Sequence, residues 1–193
     1  MVWMIEVKTA IAREHEFDVL FVDSEFGQLP FKGQHIQEWA RTAQVLSYAV
    51  VPMSEDAAPF YAVRGLSKAS QKGYSEFVVK EVLPHIEAAD VTCRFSTGRQ
   101  FRRAWDAYLA KRREATGLPP LIVADWIGDA ILVELFLPDD ADVLVLDEVP
   151  AVHRTFETFF TGKLRRHNAV HDAMALRQGY INHKAELAKQ EGA

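Results

Sequence analysis

The stretch DVLFVDSEF, at residues 18–26, is the part of the sequence that decides the fold. Residues 18–22 are mainly β-branched, aliphatic and aromatic, which predicts a short strand. Asp23 and Glu25 follow at its end, and because residues two apart in a strand point to the same face, their carboxylates can converge on one cation. The D-x-E pattern alone favours ordinary strand-end or turn acids, so the interpretation depends on the rest of the chain.

The segments around this strand predict a mixed sheet flanked by helices. Strands are predicted at residues 43–51 and 60–63, which with 18–22 make an antiparallel three-strand meander, and at 121–124 and 143–146, whose apolar runs are typical of buried parallel strands. Helices are predicted at residues 34–41, 75–82, 96–117, 129–136 and 152–189, the last interrupted near Gly162. This order predicts an α/β fold in a single domain, 1–193, with a motif-bearing core at 18–180 and a helical C-terminal tail.

The composition is that of an ordinary globular protein, and it excludes several classes of function. The net charge of −5 argues against a basic coat for nonspecific nucleic-acid binding, but it permits an enzyme that meets a few phosphates through local cations. Cys93 is the only cysteine and cannot form an internal disulfide, which predicts a reducing compartment. Because no apolar run reaches about 18 residues and the N-terminus lacks a secretory pattern, we expect no membrane span and a cytoplasmic location.

Two further groups of polar residues lie next to predicted element ends. Asp125 and Asp129 follow the strand at 121–124, and His167 and Asp172 stand five apart at the entry to the last helix. Each group alone is weak, because acids often cap helices and a lone histidine is more often a surface residue. Together with the D-x-E pair, they supply five acids and a histidine, and two-metal phosphodiester hydrolysis needs four acids and a histidine.

The chemistry of such a set is well defined. Carboxylate oxygens would hold two hard cations about 4 Å apart, one to lower the pKa of the attacking water and one to stabilise the leaving 3′ oxygen. His167 would take the proton of the water, a task that suits the near-neutral pKa of imidazole. The sequence contains no P-loop, no nucleophile elbow, no cysteine-based zinc site and no dinucleotide-binding glycine pattern.

The same residues resemble the three motifs of the DnaQ-like DEDDh nucleases. FVDSEF at residues 21–26 resembles the first motif, a D-x-E after an apolar strand, and VADWIGD at 123–129 resembles the second. RHNAVHDA at 166–173 resembles the third motif, H-x-A-x-x-D-A. VDSEF, FYAV, FVVKEVLPHI and the short last motif are most similar to the mycobacterial-type 3′→5′ exoribonuclease branch.

The resemblance implies a ribonuclease-H-like fold, two Mg²⁺ or Mn²⁺ ions per site, and stepwise release of nucleoside monophosphates from the 3′ ends of single strands. It implies the following active site: Asp23, Glu25, Asp129 and Asp172 as metal ligands, with His167 as general base. The usual His-Asn pair of the second motif is replaced by Ala124-Asp125, so Asp125 competes with Asp129 for the ligand role. We favour Asp129, because its offset needs no gap. Residues 27–41 are longer than the corresponding family loop, which affects the substrate entrance.

Substrate contacts are predicted beside these motifs. The predicted contacts are Phe26, Trp126, Asp125 and Arg166. Lys163 and Arg165, like Arg166, can meet phosphates, but for each of the three a solvated surface position stays the favoured alternative. Phe26 and Trp126 can stack on bases, although core packing explains Trp126 equally well.

The sequence leaves the substrate and the assembly open. No residue can be assigned to a 2′-hydroxyl, so the preference for RNA over DNA comes from the family branch alone. A DNA exonuclease of repair or proofreading type and an inactive nuclease fold used for binding stay open as alternatives. Some members of the family are dimers, and residues 180–188 are predicted to form an exposed helix that can pack on a second copy.

Overall fold

A six-stranded mixed sheet is the frame of the molecule. The structure is a computed structural model that describes residues 5–66, 73–86, 88–134 and 136–191. Its strands lie in the order β4-β3-β2-β1-β5-β6. Their bounds are β1 Asp18–Phe26, β2 Val45–Pro52, β3 Phe60–Arg64, β4 Cys93–Phe95, β5 Pro120–Ala124 and β6 Asp142–Val145.

The directions of the strands confirm the predicted α/β architecture. Strands β1, β2 and β3 form an antiparallel meander, and β5 and β6 continue the sheet parallel to β1. The three-residue strand β4, which pairs parallel with β3 at the far edge, was not predicted. Cys93 lies in β4 and is half-buried.

Helices cover both faces of this sheet. Their bounds are α1 Val7–Ala12, α2 Ile36–Thr42, α3 Gly98–Thr116, α4 Ile127–Glu134, α5 Pro150–Thr158 and α6 Ala169–Glu191. A 3-10 turn at Glu14–Glu16 precedes β1, and the helix predicted at 75–82 is a π-helical turn at Val78–Val82. The predicted helix at 129–136 begins earlier, and Leu135 lies outside the described residues. No described helix combines the length and the apolar character needed to cross a membrane.

The core lies on both faces of β1, because its side chains alternate between two apolar layers. Phe21 packs beneath α6, where its ring is 5.4 Å from that of Tyr180, whereas Leu20 faces Trp105 of α3. Leu20 and Phe21 are fully buried, and each contributes about 1.5–3 kcal/mol relative to exposure. Tyr180 is also fully buried and donates to Glu14, so the exposed part of the predicted C-terminal helix begins one residue later, at Ile181, which is 38% exposed.

Helix α3 carries the chain from the far edge of the sheet back to its centre. It begins in a capping box, in which Thr97 accepts a hydrogen bond from the Gln100 N–H and the Gln100 side chain accepts from the Thr97 N–H. It ends as predicted at Gly117, whose φ of 71° is the left-handed conformation that glycine adopts at least cost. The chain then turns directly into β5, which pairs with β1.

Candidate metal and substrate site

The carboxyl ends of two neighbouring parallel strands bring the first acids together. In the pairing of β1 with β5, Phe21 lies opposite Val123. Continuing that register by two positions places Asp125, just past the end of β5, beside Asp23. Asp23 and Glu25 lie on one face of β1 because side chains alternate along a strand. Sheet register therefore positions three carboxylates before any helix contributes.

The first turn of α4 supplies Asp129. This residue is 3% exposed and faces the strand ends from the start of the helix, where the helix dipole favours a negative charge. Gly128 is required here because a Cβ at this position would lie 2.2 Å from the ring of Trp126. The glycine lets the indole of Trp126 lie against the helix start and beside the carboxylates.

The entry to α6 supplies His167 and Asp172. Asn168 caps the helix, since its side-chain oxygen accepts a hydrogen bond from the His171 N–H at 3.3 Å. His167 just before it has a φ of 62°, a left-handed conformation that is uncommon for residues other than glycine. Its N–H donates to Asp172 Oδ2 at 2.9 Å. Strained backbone of this kind clusters at functional sites, where surrounding contacts hold it.

Buried polar contacts hold this segment against the sheet. The Asn168 amide donates to the Tyr61 hydroxyl at 3.3 Å and to the His85 carbonyl at 2.8 Å. The Tyr61 hydroxyl in turn donates to the Ile86 carbonyl. His171 is buried and its Nδ1 accepts from the Arg165 N–H at 3.0 Å, so this histidine orders the loop before α6.

The six polar residues form two triads. Asp23, Asp125 and Asp129, the aspartate triad, offer carboxylate oxygens that all lie within 4.8 Å of one another. Glu25, His167 and Asp172, the histidine triad, offer ligand atoms within the same distance of one another. The structure thus brings together all five residues predicted as the active site, and it adds Asp125 to them.

Several carboxylate oxygens of the two triads are buried without the hydrogen-bond or cation partner that a buried charge normally has. Within the described residues, Asp23 Oδ2, Asp129 Oδ1 and Asp172 Oδ1 are buried and accept no hydrogen bond. Burial is the main cause that raises the pKa of Asp23, Glu25 and Asp129 well above the usual value, and neighbouring carboxylates add to it. Burial also raises the pKa of Asp125. Free carboxylate oxygens in a buried cluster fit hard divalent cations, which prefer oxygen ligands.

The histidine triad has a nearby cation and a neutral imidazole. Burial raises the pKa of Asp172 to about 7, and Arg166, whose Nε lies 3.7 Å from Asp172 Oδ1, opposes that shift. Burial and then Arg166 lower the pKa of His167, which favours its neutral form. The imidazole lies edge-on to the ring of Phe77 at 5.0 Å. The triad can therefore offer both a metal ligand and a proton acceptor.

Both triads open into one cavity of about 650 Å³ with an apolar rim. Leu29, Phe31 and Phe77 line it and are 63%, 70% and 49% exposed. Sequence reasoning missed these three residues, although Leu29 and Phe31 are apolar side chains in a loop with glycine and proline, which is a usable signal. The π-helical turn behind Phe77 is a geometry that occurs frequently at functional sites.

All four predicted substrate contacts line this cavity, but they differ in how exposed they are and in what they pack against. Phe26 and Trp126 line it, but Phe26 is only 4% exposed and its ring packs against Trp39 at 4.8 Å and Trp126 at 5.8 Å. Asp125 and Arg166 also line it. The guanidinium of Arg166 stacks over Phe156 at 4.3 Å, which fixes its direction.

The other basic residues of this segment are less closely involved. Arg165 donates to the carbonyls of Gly162 and Leu164 within its own turn. Lys163 is exposed, and neither residue lines the cavity. Arg166 is therefore the basic residue of this segment that faces the carboxylates.

Comparison with known proteins supports the fold. No family model and no curated protein matches the chain. Among solved structures, it is similar to S. pombe Pop2p, determined with Mg²⁺ and Mn²⁺ bound, with a TM-score of 0.54 over 97% of this chain and 90% of that chain. The two sequences are 9% identical, so the likeness concerns the fold. The chain has the α/β ribonuclease-H-like fold that its sequence predicts.

Proposed function

We propose that the chain is a metal-dependent 3′→5′ exonuclease that removes nucleoside 5′-monophosphates from single-stranded ends, with RNA preferred over DNA. One observation carries this proposal: two triads of metal-ligating side chains, contributed by separate segments of the chain, open into one cavity with an exposed aromatic rim. Pop2p, which has the same fold, was determined with Mg²⁺ and Mn²⁺ bound, and this supports divalent metal as the cofactor.

The carboxylates have the task of holding two ions. Asp23, Glu25, Asp129 and Asp172 are the proposed ligands, because their oxygens are buried, crowded and directed toward one another. When bound, Mg²⁺ or Mn²⁺ would supply a more acidic water and charge stabilisation for the leaving 3′ oxygen. The pKa values of Asp23, Glu25 and Asp129 are raised by burial and by mutual repulsion, and at Glu25 the charge of Arg166 opposes this shift.

His167 has the task of accepting the proton of the attacking water. Its lowered pKa keeps the imidazole neutral near pH 7, as a general base must be. The hydrogen bond from its N–H to Asp172 and the ring of Phe77 hold it in place. Arg166, 3.7 Å from Asp172, is placed to meet the phosphate of the terminal nucleotide.

The rim of the cavity suits unpaired bases. Aromatic side chains bind single strands without reading sequence, because every base presents a π-face. Phe31 and Phe77 are the exposed rings that line the cavity, and Leu29 lies beside them. Exposed apolar side chains beside a charged site are typical of a surface that binds a ligand, rather than of one that contacts only solvent. The 3′ polarity and the preference for RNA come from the sequence resemblance.

A matched pair of labelled oligonucleotides tests the proposal. The purified chain should shorten a single-stranded RNA labelled at its 5′ end one nucleotide at a time in Mg²⁺, release nucleoside 5′-monophosphates, and stop in EDTA. Asp172→Ala should abolish this trimming while leaving the circular dichroism spectrum unchanged. Comparing the trimming rate of this RNA with that of a DNA oligonucleotide of the same sequence measures the preference for ribose over deoxyribose.

The outcomes separate the alternatives. Faster trimming of DNA than of RNA would favour the repair or proofreading type of exonuclease. Binding of both oligonucleotides without any trimming would favour an inactive nuclease fold and would contradict the proposed activity. Unchanged trimming by Asp172→Ala would contradict the site.

A further inference from the structure

We infer that Asp125 is a third ligand in the aspartate triad, and that this triad binds its divalent ion first, before nucleic acid arrives. The inference rests on the proposed function and adds to it a ligand and an order of metal binding. The histidine triad would then hold its ion weakly until the substrate phosphate supplies further oxygen ligands.

Sheet register is the first reason to include Asp125. The residue lies next to Asp23 because β5 pairs in parallel with β1, so its position is fixed by the same hydrogen bonds that fix Asp23. Its carboxylate lies within 4.8 Å of those of Asp23 and Asp129. Asp23 Oδ2 and Asp129 Oδ1 are buried oxygens with no hydrogen-bond partner among the described residues. Asp125 thus belongs to a cluster with free ligand atoms.

The number of charged oxygen ligands is the second reason. The aspartate triad offers three carboxylates, whereas the histidine triad offers two carboxylates and an imidazole. Affinity for hard divalent cations rises with the number of charged oxygen ligands, and Mg²⁺ and Mn²⁺ favour oxygen over imidazole nitrogen. The aspartate triad should therefore bind the ion more tightly.

The position of Arg166 also favours tighter metal binding at the aspartate triad than at the histidine triad. Arg166 forms an ion pair with Asp172 at 3.7 Å, and so it offsets part of the charge of the histidine triad. Within the described chain, Asp125 forms no ion pair with Arg166 or with any other cation. Asp125 therefore has no cation partner that a metal ion would have to displace.

Titration of the full chain with Mn²⁺, without nucleic acid, tests this order. Isothermal titration calorimetry with electron paramagnetic resonance should resolve one tighter and one weaker site. Asp125→Asn should weaken the tighter site by about tenfold or more and leave the weaker site unchanged. The matched control, Glu25→Gln, should weaken the weaker site and leave the tighter one unchanged.

Each result is decisive. Unchanged affinity of the tighter site in Asp125→Asn overturns the inference but leaves the proposed exonuclease intact, since Asp23, Glu25, Asp129 and Asp172 remain. Weakening of the tighter site by Glu25→Gln overturns the order of binding. If the wild-type chain binds no Mn²⁺ at all, the proposed function itself fails.

Thermal unfolding in EDTA provides the check on folding. Asp125→Asn removes one of several crowded carboxylates, so its Tm should equal or exceed that of the wild type. A lower Tm would show that Asp125 has a stabilising partner within the chain, and this would contradict its assignment as a free metal ligand.

Discussion

The two ends of strand β1 carry buried carboxylates in opposite situations. At the start of the strand, Asp18 is 6% exposed and accepts two hydrogen bonds from the guanidinium of Arg112. At its end, Glu25 is 8% exposed and Asp23 has a buried oxygen without a partner among the described residues. Among the described residues, only the carboxylate at the start of the strand forms an ion pair with a cation.

The difference separates a structural acid from a candidate ligand. A buried carboxylate paired within the chain needs nothing further, and removing its partner is strongly destabilising. A buried cluster of carboxylates without enough cations destabilises the metal-free chain, and added divalent cations would reverse this. Burial of an acid therefore indicates a functional site only where its oxygens lack partners.

The largest expected effects, on hydrolysis and on stability, come from replacing Asp23 and Asp18 separately with asparagine. Asp23→Asn should reduce hydrolysis by about 1,000-fold or more, because a metal ligand is lost, while Tm in EDTA stays equal or rises. Asp18→Asn should do the reverse, lowering the free energy of unfolding by about 3 kcal/mol, because Arg112, whose side chain is 14% exposed, is left without its carboxylate partner. Oligonucleotide trimming and urea unfolding measure the two effects. Equal loss of activity in both variants would contradict the assignment of Asp23 as a metal ligand and of Asp18 as a structural residue.

His167→Ala should slow hydrolysis by about 100-fold while Mn²⁺ affinity is retained, because the imidazole acts on water rather than on the ion. In the wild type, the rate should fall as the pH drops through the lowered pKa of His167, since the protonated ring cannot accept a proton. That acidic limb should be absent in the variant. A loss of Mn²⁺ affinity as large as that of Glu25→Gln would instead make His167 a ligand.

Phe31→Ala should raise KM for a single-stranded oligonucleotide by about fivefold or more and leave kcat nearly unchanged, because a base-stacking surface is lost. Val79→Ala is the matched control, since Val79 is also exposed but does not line the cavity. Similar KM values for the two variants would show that the rim does not bind the strand.

The smallest effect is the pH dependence of stability without metal. Asp172 has its pKa raised from 3.8 to about 7, so its stabilising contribution is complete below about pH 4 and is lost as the pH rises through 7. Asp23, Glu25 and Asp129 are shifted in the same direction, whereas the lowered pKa of His167 opposes them.

In EDTA, Tm should therefore fall by a few degrees as the pH rises from about 5 to 8, and Mg²⁺ should reduce that fall. Differential scanning calorimetry measures both curves. Identical curves with and without Mg²⁺ would show that the carboxylates bind no ion.

Much of this arrangement could be predicted from local sequence. Strand β1 and its acids follow from alternation and an apolar run, and the end of α3 follows from Gly117. These features are determined by residues close together in the chain, so they can be predicted from one sequence. The meander and the parallel strands follow from the order of the elements.

The remainder depends on contacts between distant residues. The place of Asp125 follows from pairing between β1 and β5, which are about a hundred residues apart, and no local pattern encodes that register. The three-residue strand β4 exists because β3 offers it an edge. Phe26 was predicted as a stacking surface, but its contacts with Trp39 and Trp126 bury most of its ring.

The carboxylates at the end of β1 are the proposed ligands of the divalent ions. The most direct test is a crystal of the chain soaked with Mn²⁺ and a nucleoside 5′-monophosphate, measured for anomalous scattering from manganese. We expect two peaks about 4 Å apart, one at each triad, with the phosphate contacting both ions. No peak near Asp23 would contradict this proposal, as would manganese bound only at other acids such as Asp139 and Asp140.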